Sequence, residues 1–108
     1  MLRSDIIAAI STPPGKGGVA LIRLSGEGAI ALTEKFFRAA SGRKVTDYPL
    51  RTQIYGYVIE GERTLDDGML TAFGAGASYT GEETVEITCH GGILITQKGL
   101  MSRLLQLR

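Results

Sequence analysis

Ser78-Tyr79-Thr80-Gly81-Glu82-Glu83-Thr84-Val85-Glu86-Ile87-Thr88-Cys89-His90-Gly91-Gly92 is the stretch on which the fold turns. It reads as a polar loop, a short strand and a diglycine turn that runs into a helix. Over residues 84–90 the side chains alternate: Val85, Ile87 and Cys89 share one face, and Thr84, Glu86, Thr88 and His90 the other. A period of two with one apolar face marks a half-buried strand. Glu86 therefore points away from the core, carried by a sheet and not by a loop. A carboxylate held in this way offers two acceptor oxygens to a ligand with adjacent N–H donors. The plainer reading is a solvated strand carboxylate.

Downstream of this stretch, residues 93–108 place Ile93, Leu94, Leu100, Met101, Leu104 and Leu105 among Gln97, Lys98, Ser102 and Arg103. That pattern predicts an amphipathic helix, with no stop signal before Arg108, so the chain reads as a piece of a longer protein. Upstream, Gly74-Ala75-Gly76-Ala77 is a flexible lead. Before it, residues 52–60 and 64–73 bracket Gly61-Glu62-Arg63 and predict a hairpin. Ile54, Gly56 and Val58 share one face of its first strand, and Tyr55, Tyr57 and Ile59 the other. A strand apolar on both faces is either central or part of an interface. Asp66-Asp67-Gly68 interrupts the returning strand. Paired acids suggest a metal, but adjacent strand carboxylates point to opposite faces and lack companion ligands. They read as turn and bulge chemistry.

In the N-terminal half, residues 6–11 predict a first strand and residues 19–25 a second. On the second, Ala20, Ile22 and Leu24 face one way, and Val19, Leu21, Arg23 and Ser25 the other. Arg23 among apolar neighbours is expected to be partly covered and so to need a partner. It reads either as one half of a structural ion pair, a snorkelling surface side chain, or a donor to an anion or carbonyl in a cleft. Between the two strands, Thr12-Pro13-Pro14-Gly15-Lys16-Gly17-Gly18 begins rigid and ends permissive. It lacks the phosphate-loop spacing and leads into a strand, which argues against nucleotide binding there. Residues 26–41 predict a helix with Ala29, Ile30, Ala31, Leu32, Phe36, Phe37 and Ala40 on its apolar face, ended by Gly42. Residues 44–50 are a connecting loop.

The 108 residues allow one domain with a modest core. With 44% hydrophobic and 21% charged residues the composition is that of a folded globular chain. Twelve basic and eleven acidic residues are interspersed, which is not the footprint of a stand-alone nucleic-acid binder. A lone cysteine excludes an internal disulfide and fits a reducing compartment. No apolar run approaches the ~20 residues of a membrane span, and no leader-like segment opens the chain. The expectation is a soluble, cytoplasmic protein.

Cys89-His90 is the one nucleophile–base pair by type, but neighbours on a strand project oppositely. One Cys and one His do not by themselves build a zinc site. Cys89 reads as core packing. His90 reads as structural, or as a ligand contact at the entry to the helix. Gly91-Gly92 ahead of a helix offers backbone N–H groups to an anion only weakly. From the residues alone, then, the chain is a small α+β domain with Arg23 and Glu86 on separate strands and no self-sufficient catalytic set.

Four pieces in one order carry a resemblance: Thr12-Pro13-Pro14-Gly15-Lys16-Gly17-Gly18-Val19; Ile22-Arg23-Leu24-Ser25-Gly26; Ser78-Tyr79-Thr80-Gly81-Glu82-Glu83; and Val85-Glu86-Ile87 with His90-Gly91-Gly92. From about Ile6 to the end, the chain resembles the N-terminal domain of the MnmE (TrmE) family of tRNA-modification GTPases. The resemblance implies a folate-binding α+β domain of the type shared with aminomethyltransferases, a small mixed sheet of about five strands with two to three helices. It implies that residues 1–108 form an N-terminal folate-binding and dimerisation domain, incomplete at its C-terminal end. It further implies a homodimer that holds 5-formyltetrahydrofolate or 5,10-methylenetetrahydrofolate near its interface, as one-carbon source for modifying the wobble uridine of tRNA. The flavoprotein MnmG is the implied partner. GTP, magnesium and potassium are implied only through a GTPase domain that this sequence lacks, so hydrolysis is not expected of these residues. The family's folate contacts, an Arg in V-x-x-x-R-x-S-G and the Glu of V-E-I, fall on Arg23 and Glu86. Two departures stand out. Gly74-Ala75-Gly76-Ala77 replaces a proline-rich segment, and a third contact, a Lys beyond the last helix, has no counterpart here. The alternative is a dimerisation or scaffold module whose ligand site is degenerate.

Overall fold

The computed structural model describes residues 6–11, 20–74, 76 and 81–90. The loop at residues 12–18 and the helix expected over residues 93–108 lie outside the described residues, as do Ser78, Tyr79 and Thr80.

Six strands form one sheet: β1 (Ile7–Ser11), β2 (Ala20–Ser25), β3 (Phe37–Ala39), β4 (Ile54–Glu60), β5 (Arg63–Phe73) and β6 (Thr84–Cys89). Their spatial order is β1-β2-β6-β5-β4-β3. Every pairing is antiparallel. Among the described residues the sheet is thus larger than the five strands expected, and its pairings are all antiparallel where a mixed sheet was expected. The chain places β6 between β2 and β5, so the strand that decides the fold also joins its two halves.

The predicted alternation holds from Val85 to Cys89, whereas Thr84, expected on the outward face, is buried at 4%. Val85 and Ile87 are fully buried and Cys89 nearly so, while Thr88 is exposed. Ala20, Ile22 and Leu24 of β2 and Leu70 and Ala72 of β5 extend the same inner face. Full burial of a Val or Ile is worth roughly 1.5–3 kcal/mol, so this row anchors the sheet. Phe36, Phe37, Leu32, Val45, Ile54 and Val58 complete the core.

The helix expected over residues 26–41 is corrected to a single short helix, α1 (Ala29–Thr33). Three successive turns follow it, with the N–H groups of Glu34, Lys35 and Phe36 reaching back three residues. The chain then straightens into β3. Apolar spacing suited either outcome; the tertiary partner chose. Phe37 pairs with Val58 and Ala39 with Gly56. Gly56 has no side chain, and the Phe37 ring fills that space: a Cβ built on Gly56 would stand 2.7 Å from the ring and 2.3 Å from the Arg38 carbonyl. Within the expected loop at residues 44–50, a 3₁₀ turn (Val45–Asp47) is tied back by Glu34, whose carboxylate accepts from the N–H groups of Val45 and Thr46.

The hairpin forms where it was predicted, but its loop is Gly61-Glu62 alone: Arg63 is already in β5, opposite Glu60. Gly61 has φ 63° at the first central position, which two-residue type II′ turns reserve for glycine. β5 is not interrupted at Asp66-Asp67-Gly68. It runs through, with a register shift opposite Val58 and Ile59. β4 lies between β5 and β3, so its two apolar faces belong to an interior strand; the sheet edges are β1 and β3.

Candidate functional site

The outer face of the sheet carries the candidate residues. One row crosses four strands: Ala9 of β1, Arg23 of β2, Glu86 of β6 and Thr71 of β5 stand opposite one another in register. Pairing in register places the Arg23 and Glu86 side chains on one face, side by side. The Arg23 Nε and Nη2 groups both donate to Glu86 Oε2, at 3.0 and 2.6 Å. Arg23 is more open than its apolar neighbours suggested: 44% of its side chain is exposed, against 31% for Glu86. The partner that Arg23 needs is therefore the other predicted site residue.

Both halves of the pair are mounted on fully hydrogen-bonded strands, and the β6 end is fixed further by Glu83. Its carboxylate accepts from the N–H groups of Gly28 at 3.0 Å and Ile30 at 2.8 Å, which holds the first turn of α1. The Glu83 carbonyl accepts from Gly26 N–H at 2.8 Å. Glu83 lay within the quoted stretch, but its role depends on a loop 55 residues away and has no local signal.

A second grouping was missed. Asp66 and Asp67 were expected on opposite faces without companions. Both lie against His90, the residue that follows β6: Nδ1 lies 2.9 Å from Asp66 Oδ1 and 3.1 Å from Asp67 Oδ1. The hydrogen bond that the ring donates to Asp66 and the charges of both carboxylates raise the His90 pKa above its usual value. The Tyr55 hydroxyl donates to Asp67 Oδ2 at 2.7 Å, and this bond pushes the phenol up to about 12. Tyr55, Met69, Thr88 and His90 line an open hollow of about 320 Å³ on the outer face. Thr88 is the next outward residue after Glu86 on β6, so the hollow opens beside the Arg23–Glu86 row. Cys89 is buried, as expected.

Residues 6–108 match the family model described as the GTP-binding protein TrmE N-terminus. The chain belongs to this family. Among similar curated proteins, the tRNA modification GTPase MnmE of Clostridioides difficile (strain 630) is 42% identical over 98 residues, 91% of this chain and 21% of that protein. The protein of the same name from Moorella thermoacetica is 45% identical over 106 residues, 95% of this chain and 22% of its own length. That of Geobacillus kaustophilus is 39% identical over 102 residues, 93% and 22% respectively. The chain spans about a fifth of the length of the curated relatives it matches. As a TrmE N-terminal domain it is a sheet-dominated unit, and no helix among its described residues is long and apolar enough to cross a membrane.

Proposed function

We propose that this domain binds a tetrahydrofolate derivative and forms homodimers within a GTPase that modifies the wobble uridine of tRNA in the cytoplasm. Arg23 and Glu86 are its cofactor contacts, 5-formyl- or 5,10-methylenetetrahydrofolate the ligand, and MnmG and tRNA the partners of the whole protein. GTP, magnesium and potassium belong to a GTPase domain outside these residues.

The observation that carries this reading is the pairing of Arg23 with Glu86 on the outer face. Both guanidinium contacts go to a single carboxylate oxygen. Glu86 Oε1 takes no hydrogen bond from a described residue, so one acceptor remains for a ligand, with guanidinium N–H groups beside it. An acceptor next to donors suits a pterin, whose amino and ring N–H groups face a carboxylate while a carbonyl faces a guanidinium. The donor set therefore fits the group. Glu86 would orient the ring and Arg23 would hold both Glu86 and a cofactor oxygen. A bound reduced folate supplies the one-carbon unit.

A second reading has its own support. The two side chains already satisfy each other at 2.6 Å, which is what a purely structural pair in a dimerisation or scaffold module would show. Calorimetric titration with 5-formyltetrahydrofolate separates the two. Charge-assisted hydrogen bonds are worth about 1.5–3 kcal/mol, so Arg23→Ala and Glu86→Ala should each weaken binding tenfold to about a hundredfold. Equal affinity in both variants would refute the folate assignment. Light scattering on a size-exclusion column reads the dimer, and a monomer at high concentration would count against it.

A further inference from the structure

We propose that Asp66, Asp67 and His90 form a binding site for one divalent transition ion of the manganese-to-zinc class, built where β5 shifts register beside the end of β6. The site is separate from the Arg23–Glu86 row, and its existence does not depend on folate binding.

Consecutive strand residues ordinarily present their side chains to opposite faces. Here the paired register moves from Val58↔Asp66 to Ile59↔Thr64, which leaves Leu65 as the extra residue on β5. Beyond that shift Asp66 and Asp67 pair in step with Val58 and Tyr57, and both carboxylates meet the imidazole nitrogen of His90, just past the end of β6, at 2.9 and 3.1 Å. Metal–ligand bonds of about 2.1 Å place neighbouring donor atoms roughly 3 Å apart. The two observed separations, which are hydrogen-bond distances, also match the edges of such a coordination shell. All three donor atoms lie within 4.8 Å of one another, so a rotation of the Asp67 carboxylate towards Asp66 closes the third edge.

The surroundings hold the ligands in place. Asp66 Oδ1 accepts from the Asp67 N–H at 2.8 Å, and Tyr55 donates to Asp67 Oδ2 while Oδ1 is left facing His90. Partners one step behind a metal's ligands orient them in this way. The Asp66 side chain is 10% exposed, Asp67 38% and His90 73%, so Asp66 is sheltered while the Asp67 and imidazole side is open to an arriving ion. The adjoining hollow has room for water molecules on the remaining coordination positions.

Two carboxylates carry two negative charges, which a divalent ion neutralises. An imidazole nitrogen in the set favours manganese, cobalt or zinc over magnesium or calcium, which prefer oxygen throughout. At low pH the position is filled by a proton on Nδ1. Binding exchanges that proton for the ion, with one proton released to solvent and no change of oxidation state.

His90 is the only histidine in the sequence, so in an untagged chain its ring protons assign themselves in a proton NMR spectrum. The chain is first stripped with a chelator and titrated between pH 5 and about 8.5, then titrated again with saturating Zn²⁺. The expected result is that Zn²⁺ abolishes the pH-dependent movement of the ring signals. A hundredfold excess of Mg²⁺ should leave that movement in place, and Co²⁺ should broaden the His90 signals before any others. Asp66→Asn and Asp67→Asn, each checked for its strand signal by circular dichroism, should weaken Zn²⁺ at least about tenfold, and Tyr55→Phe by a smaller factor. An unaltered His90 titration in millimolar Zn²⁺ would overturn the proposal without recourse to any variant. So would Zn²⁺ affinity undiminished in both folded Asp variants.

Discussion

At the level of single residues, two charged groupings sit on one sheet face and differ in what surrounds them. Arg23 and Glu86 are part-exposed, and pairs in such positions contribute little to folding. Arg23→Ala should therefore lower the unfolding free energy by less than about 1 kcal/mol in a denaturant titration. A stability loss several times larger would favour the scaffold reading over the ligand-contact reading. His90 behaves differently because its proton is held by Asp66 and Asp67. Its folded pKa is raised, so its contribution to stability is complete below the unfolded value near 6.5 and fades as pH rises through the higher folded value. In a chelator, the ring protons should titrate above the usual histidine midpoint, and Asp66→Asn should bring the midpoint down. A midpoint that ignores the substitution would show that Asp66 does not hold the proton.

Among the elements, the tightest constraints are the close backbone approaches at two glycines of the β4–β5 pair. Gly56 and Gly68 face each other across the β4–β5 pair. A Cβ on Gly56 would meet the Arg38 carbonyl at 2.3 Å, and one on Gly68 the Thr88 carbonyl at 2.2 Å. Backbone atoms in a hydrogen-bonded sheet cannot move aside as a flexible side chain can. Gly56→Ala is therefore expected to destabilise the domain by about 3 kcal/mol, at the upper end of ordinary overpacking, measured by thermal or urea unfolding. Wild-type stability in that variant would mean that β3 does not pack as described. The same contact explains why Phe37 belongs to a strand. Its ring occupies the space that Gly56 leaves empty, and no feature of residues 26–41 taken alone announces that vacancy.

For the molecule as a whole, the connectivity is strongly non-local. β6 closes against β2, and the Arg23–Glu86 contact spans 63 residues of chain. Sheets that depend on such pairings fold slowly, because loop-closure entropy is lost before the contact is gained. Refolding monitored by stopped-flow circular dichroism should take milliseconds to seconds, not microseconds. Truncating Ile87, fully buried at the centre of β6, should cost about 2–5 kcal/mol. A microsecond phase carrying the full amplitude would contradict this order of assembly.

Alternation of apolar and polar residues determined β2, β6 and the hairpin, and with them the outward placement of Arg23 and Glu86. That information is local, since side chains on a strand alternate whatever the partner. Strand order, the all-antiparallel pairing, the conversion of residues 37–39 from helix to strand and the meeting of Asp66, Asp67 and His90 were decided only in three dimensions. Each depends on which distant segment lies alongside, through a missing Cβ at Gly56 or a register between strands far apart in the chain. A period read along one segment carries no record of its neighbour across the sheet.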